Sequence, residues 1–466
     1  LIQLYQMAEE TKIKLLKFFI FNTKFGNIED EEHKKLIYYY SLDEVCVESQ
    51  LKDVGLCEAL VNFTRTFDPE SPCDTLCTKK THQYLLNAGD NFWLSMAVNV
   101  PATENTSGEG DATEFHGYEV HDTVYKAVLK RCYELFCLFN GTFGSILEKT
   151  QNSVDLLKLN VESFFNSYLP TLRLDRCDLS DIHLGLHFLP MEKEKFLQIQ
   201  CFINQVQEVF PLIKLTCFLY TDLLVWSGLE QDDMTILYHY LVTKIFPASL
   251  EKDLKSHPSN VPSLQFGKFI VGPDNWDDTD GMKNLPLLYL NKTTKNPYRL
   301  IIYKASNAEM CFLLNCDVSE LTVSFYKKLD GFLGPLLSNL SCTIGDLHSR
   351  VQGASVVGSQ YKYIYFNHMN CAQKSTIHLD QRKTGAVVVP AEVLRLFGAV
   401  HDDIRKIPGG GEMYVKTMNN QWIHAKLSDS REVYTSLSSK CTNLIEASDE
   451  VQKLCASQFY NIFFVD

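Results

Sequence analysis

Four groups of residues in this chain carry side chains capable of chemistry. Cys73, Cys77 and His82 offer thiols and an imidazole at close spacing, the ligand types that hold zinc. No CxxC pair occurs and no second half of a zinc site follows, so the group reads as incomplete. Glu230, Asp232 and Asp233 cluster after Gly228. Such carboxylates can bind a cation, but at the start of a helix they complement its dipole, and that reading is adopted. Asp274, Asp277, Asp278 and Asp280 resemble a calcium loop in composition only, because no glutamate stands at the twelfth position of any such loop. His368 and His378 flank an expected hairpin and read as packing or surface groups, not as an acid–base pair. Gly409-Gly410-Gly411 follows Pro408 without the lysine of a phosphate-binding loop, and reads as a turn. GxxxxGK[ST], GxSxG and HExxH are all missing from the sequence. Covalent catalysis therefore has no support here, and no metal or cofactor is expected.

Composition narrows the remaining classes. At 466 residues the chain is long enough for about three domains, each able to bury a core. A net charge of −13 argues against general affinity for nucleic acid or anionic lipid. The cysteines number 15, and most sit in apolar runs, as do Cys132, Cys137, Cys217, Cys311 and Cys455. There they behave as small hydrophobes, and free thiols suit the cytosol. No apolar run reaches the ~20 residues of a membrane span. Met7-Ala-Glu-Glu reads as a natural start, so residues 1–6 are set aside from the fold.

The elements that must position these residues come in three similar passes: two strands, a helix, more strands, then helices. The first pass has strands at Leu15–Phe21, Leu36–Tyr40 and Phe92–Val100, a flexible loop at Thr103–Thr113, and helices at Asp122–Phe139 and Val154–Leu169. A helix at Glu192–Val209 leads onward. The second pass has two strands meeting at Thr221-Asp222, a helix Glu230–Phe246 ending at Pro247, and a Pro/Ser-rich linker at Lys255–Ser263. A polar loop Gly272–Asn284 and strands Leu287–Leu290, Arg299–Tyr303 and Met310–Leu314 follow. Its last helix runs from Val318 to about Leu340, interrupted near Gly334-Pro335. The third pass pairs KYIYFNHMN with STIHL, then has a helix Ala391–Ile404, three short strands and a closing helix from about Asn443 to Phe459. Strands such as FFIF, IYYY and LIIY are apolar at consecutive positions, so both sheet faces are covered. Short turns between neighbouring strands imply antiparallel pairing. The expected fold is α/β: three α/β/α sandwiches, each with a mainly antiparallel sheet. The expected bounds are 14–172, a helical connection 173–211, 212–350 and 360–466.

One helix organises the rest, Leu51–Phe67. Leu56, Leu60, Phe63 and Phe67 form one stripe, expected on the sheet beneath. Val54, Cys57 and Val61 form a second, smaller patch. Either its own domain covers that patch or another protein does. Glu58, Asn62 and Arg65 take the remaining face. The hairpin segment FFIFNTKF adds apolar surface suited to burial between domains or subunits.

Several stretches resemble a known family closely. They are FFIFNTKFG (18–26), VGLCEALVNFTRTF (54–67), LFNGTF (138–143), WSGLEQDDMTILYHYL (226–241), YFNHMN (365–370), KSTIH (374–378) and LCASQFYNIFF (454–464). Their order along the whole chain is similar to that of the Ccz subunits of Mon–Ccz complexes, guanine nucleotide exchange factors for the late-endosomal Rab GTPase. Thr103–Thr113 and Lys255–Asp280 match poorly. The resemblance implies three longin domains, each with one helix on one sheet face and two on the other. It implies a heterodimer with a Mon subunit through paired longin domains that together hold the GTPase, and in animals a third, β-propeller-bearing subunit. It further implies a cytoplasmic protein recruited peripherally, through its partners, to late endosome and lysosome membranes, acting in endosome maturation and in fusion of endosomes and autophagosomes with lysosomes. A longin scaffold or adaptor without exchange activity is the alternative. On this reading Leu56, Val61 and Phe67 pack at the paired longin face, Glu58, Asn62 and Arg65 make polar contacts, and Lys24 and Phe25 act at the hairpin end.

Overall fold

Alternate side chains of Phe18-Phe19-Ile20-Phe21 point to opposite faces of a sheet, and all four are buried. The computed structural model describes residues 12–26, 32–69, 72–105, 112–255, 266–292, 297–315, 317–358, 362–377, 391–437 and 441–459. The first sheet comprises β1 (Leu15–Asn22), β2 (Leu36–Ser41), β3 (Thr75–Cys77), β4 (Thr81–Gly89) and β5 (Phe92–Asn99), in the order β2-β1-β5-β4-β3. Helix α1 (Val47–Arg65) covers the face made by Phe19, Phe21, Leu85 and Trp93. Helices α2 (Asp122–Asn140), α3 (Phe143–Lys149) and α4 (Val154–Tyr168) cover the face of Phe18, Ile20, Leu94 and Met96. The segment expected as a loop at Thr103–Thr113 instead carries a hairpin, β6 (Ala102–Asn105) with β7 (Ala112–Phe115). Alternating threonines and glutamates can pair backbones without a core to bury, so hydrophobic patterning gave no signal for them.

The second sheet holds β8 (Ile213–Tyr220), β9 (Leu223–Ser227), β10 (Lys268–Val271), β12 (Tyr298–Ala305) and β13 (Ala308–Leu314), with β11 (Leu287–Leu288) paired to β12. The third holds β14 (Lys362–Asn367), β15 (Ala372–Ser375), β16 (Gly411–Lys416), β17 (Trp422–Ser428) and β18 (Arg431–Leu437). Numbered within each sheet, with the off-path β11 left out of the count, all three run 2-1-5-4-3 with antiparallel neighbours. The threefold repeat read from the sequence is therefore a repeat of topology, and the three antiparallel α/β sandwiches are present.

Helix α5 (Lys193–Val209) and the long α8 (Val323–Gly358) share one core with the second sheet. Pro335 was expected to interrupt α8, but the helix runs through it. Proline there removes one hydrogen bond and crowds the carbonyl of Gly331. Burial of Leu329, Leu333, Leu337 and Ile344 along the same helix outweighs that cost. Pro247 behaves similarly. Helix α6 (Gln231–Tyr240) passes through a π-turn, Leu241–Ile245, and continues as α7 (Phe246–Lys255), so the donor that Pro247 lacks falls just after the stretch where the hydrogen-bond register has already shifted. Helix α9 (Ala391–Ile404) follows the third sheet's first hairpin, and α10 (Leu444–Gln458) packs Val451, Leu454 and Cys455 with Tyr363 and Tyr365. The chain divides into two compact units, Leu1–Ile182 with Leu394–Asp402, and His183–Val393 with Asp403–Asp466. Within the first, Arg395 of α9 donates to Glu119 at 2.8 Å, and Thr123 donates to Asp402 at 2.7 Å. Most of the linker expected at Lys255–Ser263, together with His378, lies outside the described residues. No described helix is long and apolar enough to cross a membrane.

Candidate partner-binding face of the first helix

Helix α1 presents two apolar faces, and the structure assigns them opposite to expectation. Val54, Cys57 and Val61 are the buried ones, packed on Phe19, Phe21 and Trp93. Leu56, Phe63 and Phe67 stand 49%, 63% and 76% exposed, and Leu60 is half-buried beside them. The smaller side chains win the sheet because the strand face already carries bulky aromatics. A valine or cysteine lets the helix axis approach such a surface, where leucine and phenylalanine would hold it off. Ion pairs on the flanks fix the rotation. Lys17 reaches Asp53 at 2.7 Å, Tyr39 donates to the same carboxylate at 2.6 Å, and Lys35 pairs with Glu58 at 2.8 Å. Burial pushes the Cys57 thiol up to about 12, which makes it a packing group.

The exposed face is a continuous stripe. Phe63 and Phe67 meet edge to face at 5.1 Å, and a Cβ added at Gly55 would meet nothing within 4 Å. Asn62 is exposed beside it, and the exposed Arg65 places its guanidinium 5.5 Å from the Trp93 ring centroid. The sister helices differ. Met234, Thr235, Ile236, Leu237 and Tyr238 of α6 are buried in succession, and Val393, Leu394, Phe397 and Val400 of α9 are buried as well. Among the described residues of these three equivalent helices, only α1 leaves large apolar side chains in solvent.

The expected contact residues therefore separate. Leu56 and Phe67 are exposed on the outward side, Asn62 is exposed, and Arg65, though exposed, lies over Trp93 of the sheet face that α1 covers. Val61, expected at a partner surface, is 2% exposed and faces its own sheet. Glu58 is half-buried and held by Lys35. Phe25 packs edge-on to Phe92 at 5.8 Å, in the core on the opposite face of the sheet, so it is not brought to the α1 stripe. The Lys24 amide donates to Asn22 Oδ1 at 2.9 Å and its side chain is exposed. Phe63 is the residue missed, since periodicity alone placed it inward.

The other candidate groups resolve into structural roles. Asp278 caps a short helix through the Gly281 amide at 2.9 Å, and it also accepts from the Asp274 amide. Those amides hold its carboxyl below the usual range. Asp274 pairs with Lys252. Asp233 accepts from the Asn291 amide at 2.9 Å. Gly409 and Gly410 both have positive φ and form the expected turn. His368 Nε2 lies 2.5 Å from the buried Glu432, which also takes the Arg405 guanidinium at 2.8 Å. A guanidinium in that cluster opposes a metal cation. The expected inward cysteines, among them Cys132, Cys137, Cys217, Cys311 and Cys455, are buried.

Three family models match the chain in order. They are the first longin domain of INTU, CCZ1 and HPS4 over residues 15–141, Intu longin-like domain 2 over 213–334, and Intu longin-like domain 3 over 357–454. A protein of Xenopus laevis named vacuolar fusion protein CCZ1 homolog is 42% identical over 465 residues, covering 97% of each chain. The chain belongs to the CCZ1 family. A CCZ1 homolog of Nematostella vectensis is 42% identical, over 98% of this chain and 100% of its own. One of Dictyostelium discoideum is 30% identical, over 96% and 97%. The CCZ1-type sandwich that carries α1 is thus the one matched by the first longin model.

Proposed function

We propose that this chain is one subunit of a heteromeric guanine nucleotide exchange factor for a late-endosomal Rab GTPase, acting in vacuole or endosome fusion as the names of its relatives suggest. Its partner is a Mon-type longin protein, with a β-propeller-bearing third subunit in animals. The observation that carries the reading is the uncovered stripe of Leu56, Phe63 and Phe67 on the first longin domain, set against sister helices that are buried. Aromatic anchors of this kind dominate protein interfaces.

Exchange on this reading needs no acid, base or nucleophile. A Rab holds GDP through its phosphate loop, Mg²⁺ and ordered switches. A surface that binds the nucleotide-free form more tightly than the GDP form shifts the equilibrium toward release. Asn62, exposed on α1, and Arg65, at the helix end over Trp93, would supply polar contacts, and Lys24 would add a cation at the β1 end of the domain.

The test is GDP release from the late-endosomal Rab, followed by a fluorescent nucleotide, with the chain alone, with the Mon-type subunit, and with both. Acceleration by the pair only is the expected result. Stable assembly of the pair with no acceleration would reject the exchange reading in favour of an adaptor. Failure to assemble would reject both.

A further inference from the structure

The half-complete zinc motif acquires its missing ligand from a distant part of the chain. Cys77 and His82 are cross-strand partners in the β3–β4 hairpin, so their side chains leave the same face. Asp122, the first residue of α2, closes over them. Cys77 Sγ lies 3.6 Å from His82 Nδ1 and 3.8 Å from Asp122 Oδ2, and His82 Nδ1 lies 2.9 Å from Asp122 Oδ1. Zinc bond lengths at tetrahedral angles require donor separations of about 3.4–3.6 Å. The two sulfur distances already sit near that range, and the nitrogen–oxygen pair needs to open by roughly half an ångström.

The arrangement is not a nucleophile relay. A Cys–His–Asp relay uses opposite ring nitrogens, one toward the thiol and one toward the carboxylate. Here the same nitrogen, Nδ1, faces both, so the three donors converge on one point. The surroundings are those of a metal site. Fully buried Tyr84 donates to Asp122 Oδ1 at 2.9 Å and orients the carboxylate from behind. Thr78 and Thr81 close the hairpin through the Thr78 amide and hydroxyl, which fixes Cys77 against His82. Cys77 is exposed, leaving an entry path and a fourth position for water. Lys126, one turn along α2 from Asp122, is drawn to Asp74 at 2.8 Å. Cys73 is not a fourth ligand, because its thiol donates to the Thr75 carbonyl.

We propose that Cys77, His82 and Asp122 form a binding site for a thiophilic divalent metal, Zn²⁺ by ligand type, which clamps the β3–β4 hairpin to the start of α2. The site is separate from the α1 stripe and independent of the exchange reading.

The test uses the full chain stripped with chelator and titrated with Co²⁺. One equivalent should give the thiolate-to-cobalt charge-transfer band and intense tetrahedral ligand-field bands, displaced by Zn²⁺. Cys77→Ser should abolish the charge-transfer band. Asp122→Asn, which keeps an acceptor for Tyr84, should weaken Zn²⁺ by about tenfold or more in competition with a chromophoric chelator. Cys73→Ser should leave both signals intact. Zn²⁺ should also raise the Tm of the parent chain and not that of Cys77→Ser. No charge-transfer band, or one that survives Cys77→Ser, would overturn the site. So would a Zn²⁺ affinity that Asp122→Asn leaves unchanged.

Discussion

Glu309 shows what a single buried carboxylate costs. It sits on β13, 2% exposed, with Lys304 Nζ at 2.7 Å on one oxygen and no hydrogen-bond partner for Oε2 among the described residues. Burial pushes its pKa up from the ordinary glutamate value to about 7, against the pull of Lys304. The folded chain therefore binds this proton more tightly than the unfolded chain. Its stabilising contribution is full below the unfolded value near 4.5 and is lost as pH rises through about 7. Glu309→Gln should remove that slope. Urea denaturation across pH 4 to 8 should show the parent losing about 1–3 kcal/mol relative to the variant over the interval. Parallel curves for the two proteins would show that the carboxylate stays ionised in the fold.

Helix α1 separates stability from binding at the scale of an element. Val61 and Phe63 are two residues apart, one buried and one 63% exposed. Val61→Ala should cost about 1–3 kcal/mol in chemical denaturation, through lost transfer energy and a cavity against Phe19 and Trp93. Phe63→Ser should leave the denaturation midpoint nearly unmoved, and should weaken association with a longin partner by about tenfold or more in calorimetry. The reverse pattern would return the helix to the orientation expected from periodicity. That expectation failed for a physical reason. Spacing reveals that α1 has two apolar stripes, but which one faces in depends on how close the helix comes to Phe19, Phe21 and Trp93, and on Lys17 and Lys35 reaching Asp53 and Glu58. Long apolar strands and capped helices such as Val154–Tyr168, where Ser153 accepts from the Leu156 amide, were legible because they announce themselves locally. Short edge strands such as Thr75–Cys77 and Lys268–Val271 carry too few residues to show a period. The Cys77–Asp122 approach spans a sequence distance over which no spacing rule operates.

Across the whole molecule, one topology serves three sheets, and the difference between them lies in what covers the helix after the second strand. The described residues of the sister helices bury their large apolar side chains, so α1 is where the repeat leaves such side chains exposed. The chain's charge bears on how such an assembly reaches a membrane. A net charge of −13 repels an anionic leaflet, and no described helix is apolar enough to anchor across it. Recruitment is then expected through partners. Sedimentation with phosphatidylserine vesicles should leave the chain alone in the supernatant at about 0.15 M salt, where the Debye length is about 8 Å. Lowering the salt distinguishes repulsion from weak attraction. If the acidic surface dominates, the longer screening length strengthens repulsion and binding stays absent. A basic patch held on one face would instead show itself as binding that grows as salt falls, and that outcome would overturn recruitment through partners. Adding the Mon-type subunit should bring the chain down with the vesicles, and Phe63→Ser should leave it behind while its partner sediments.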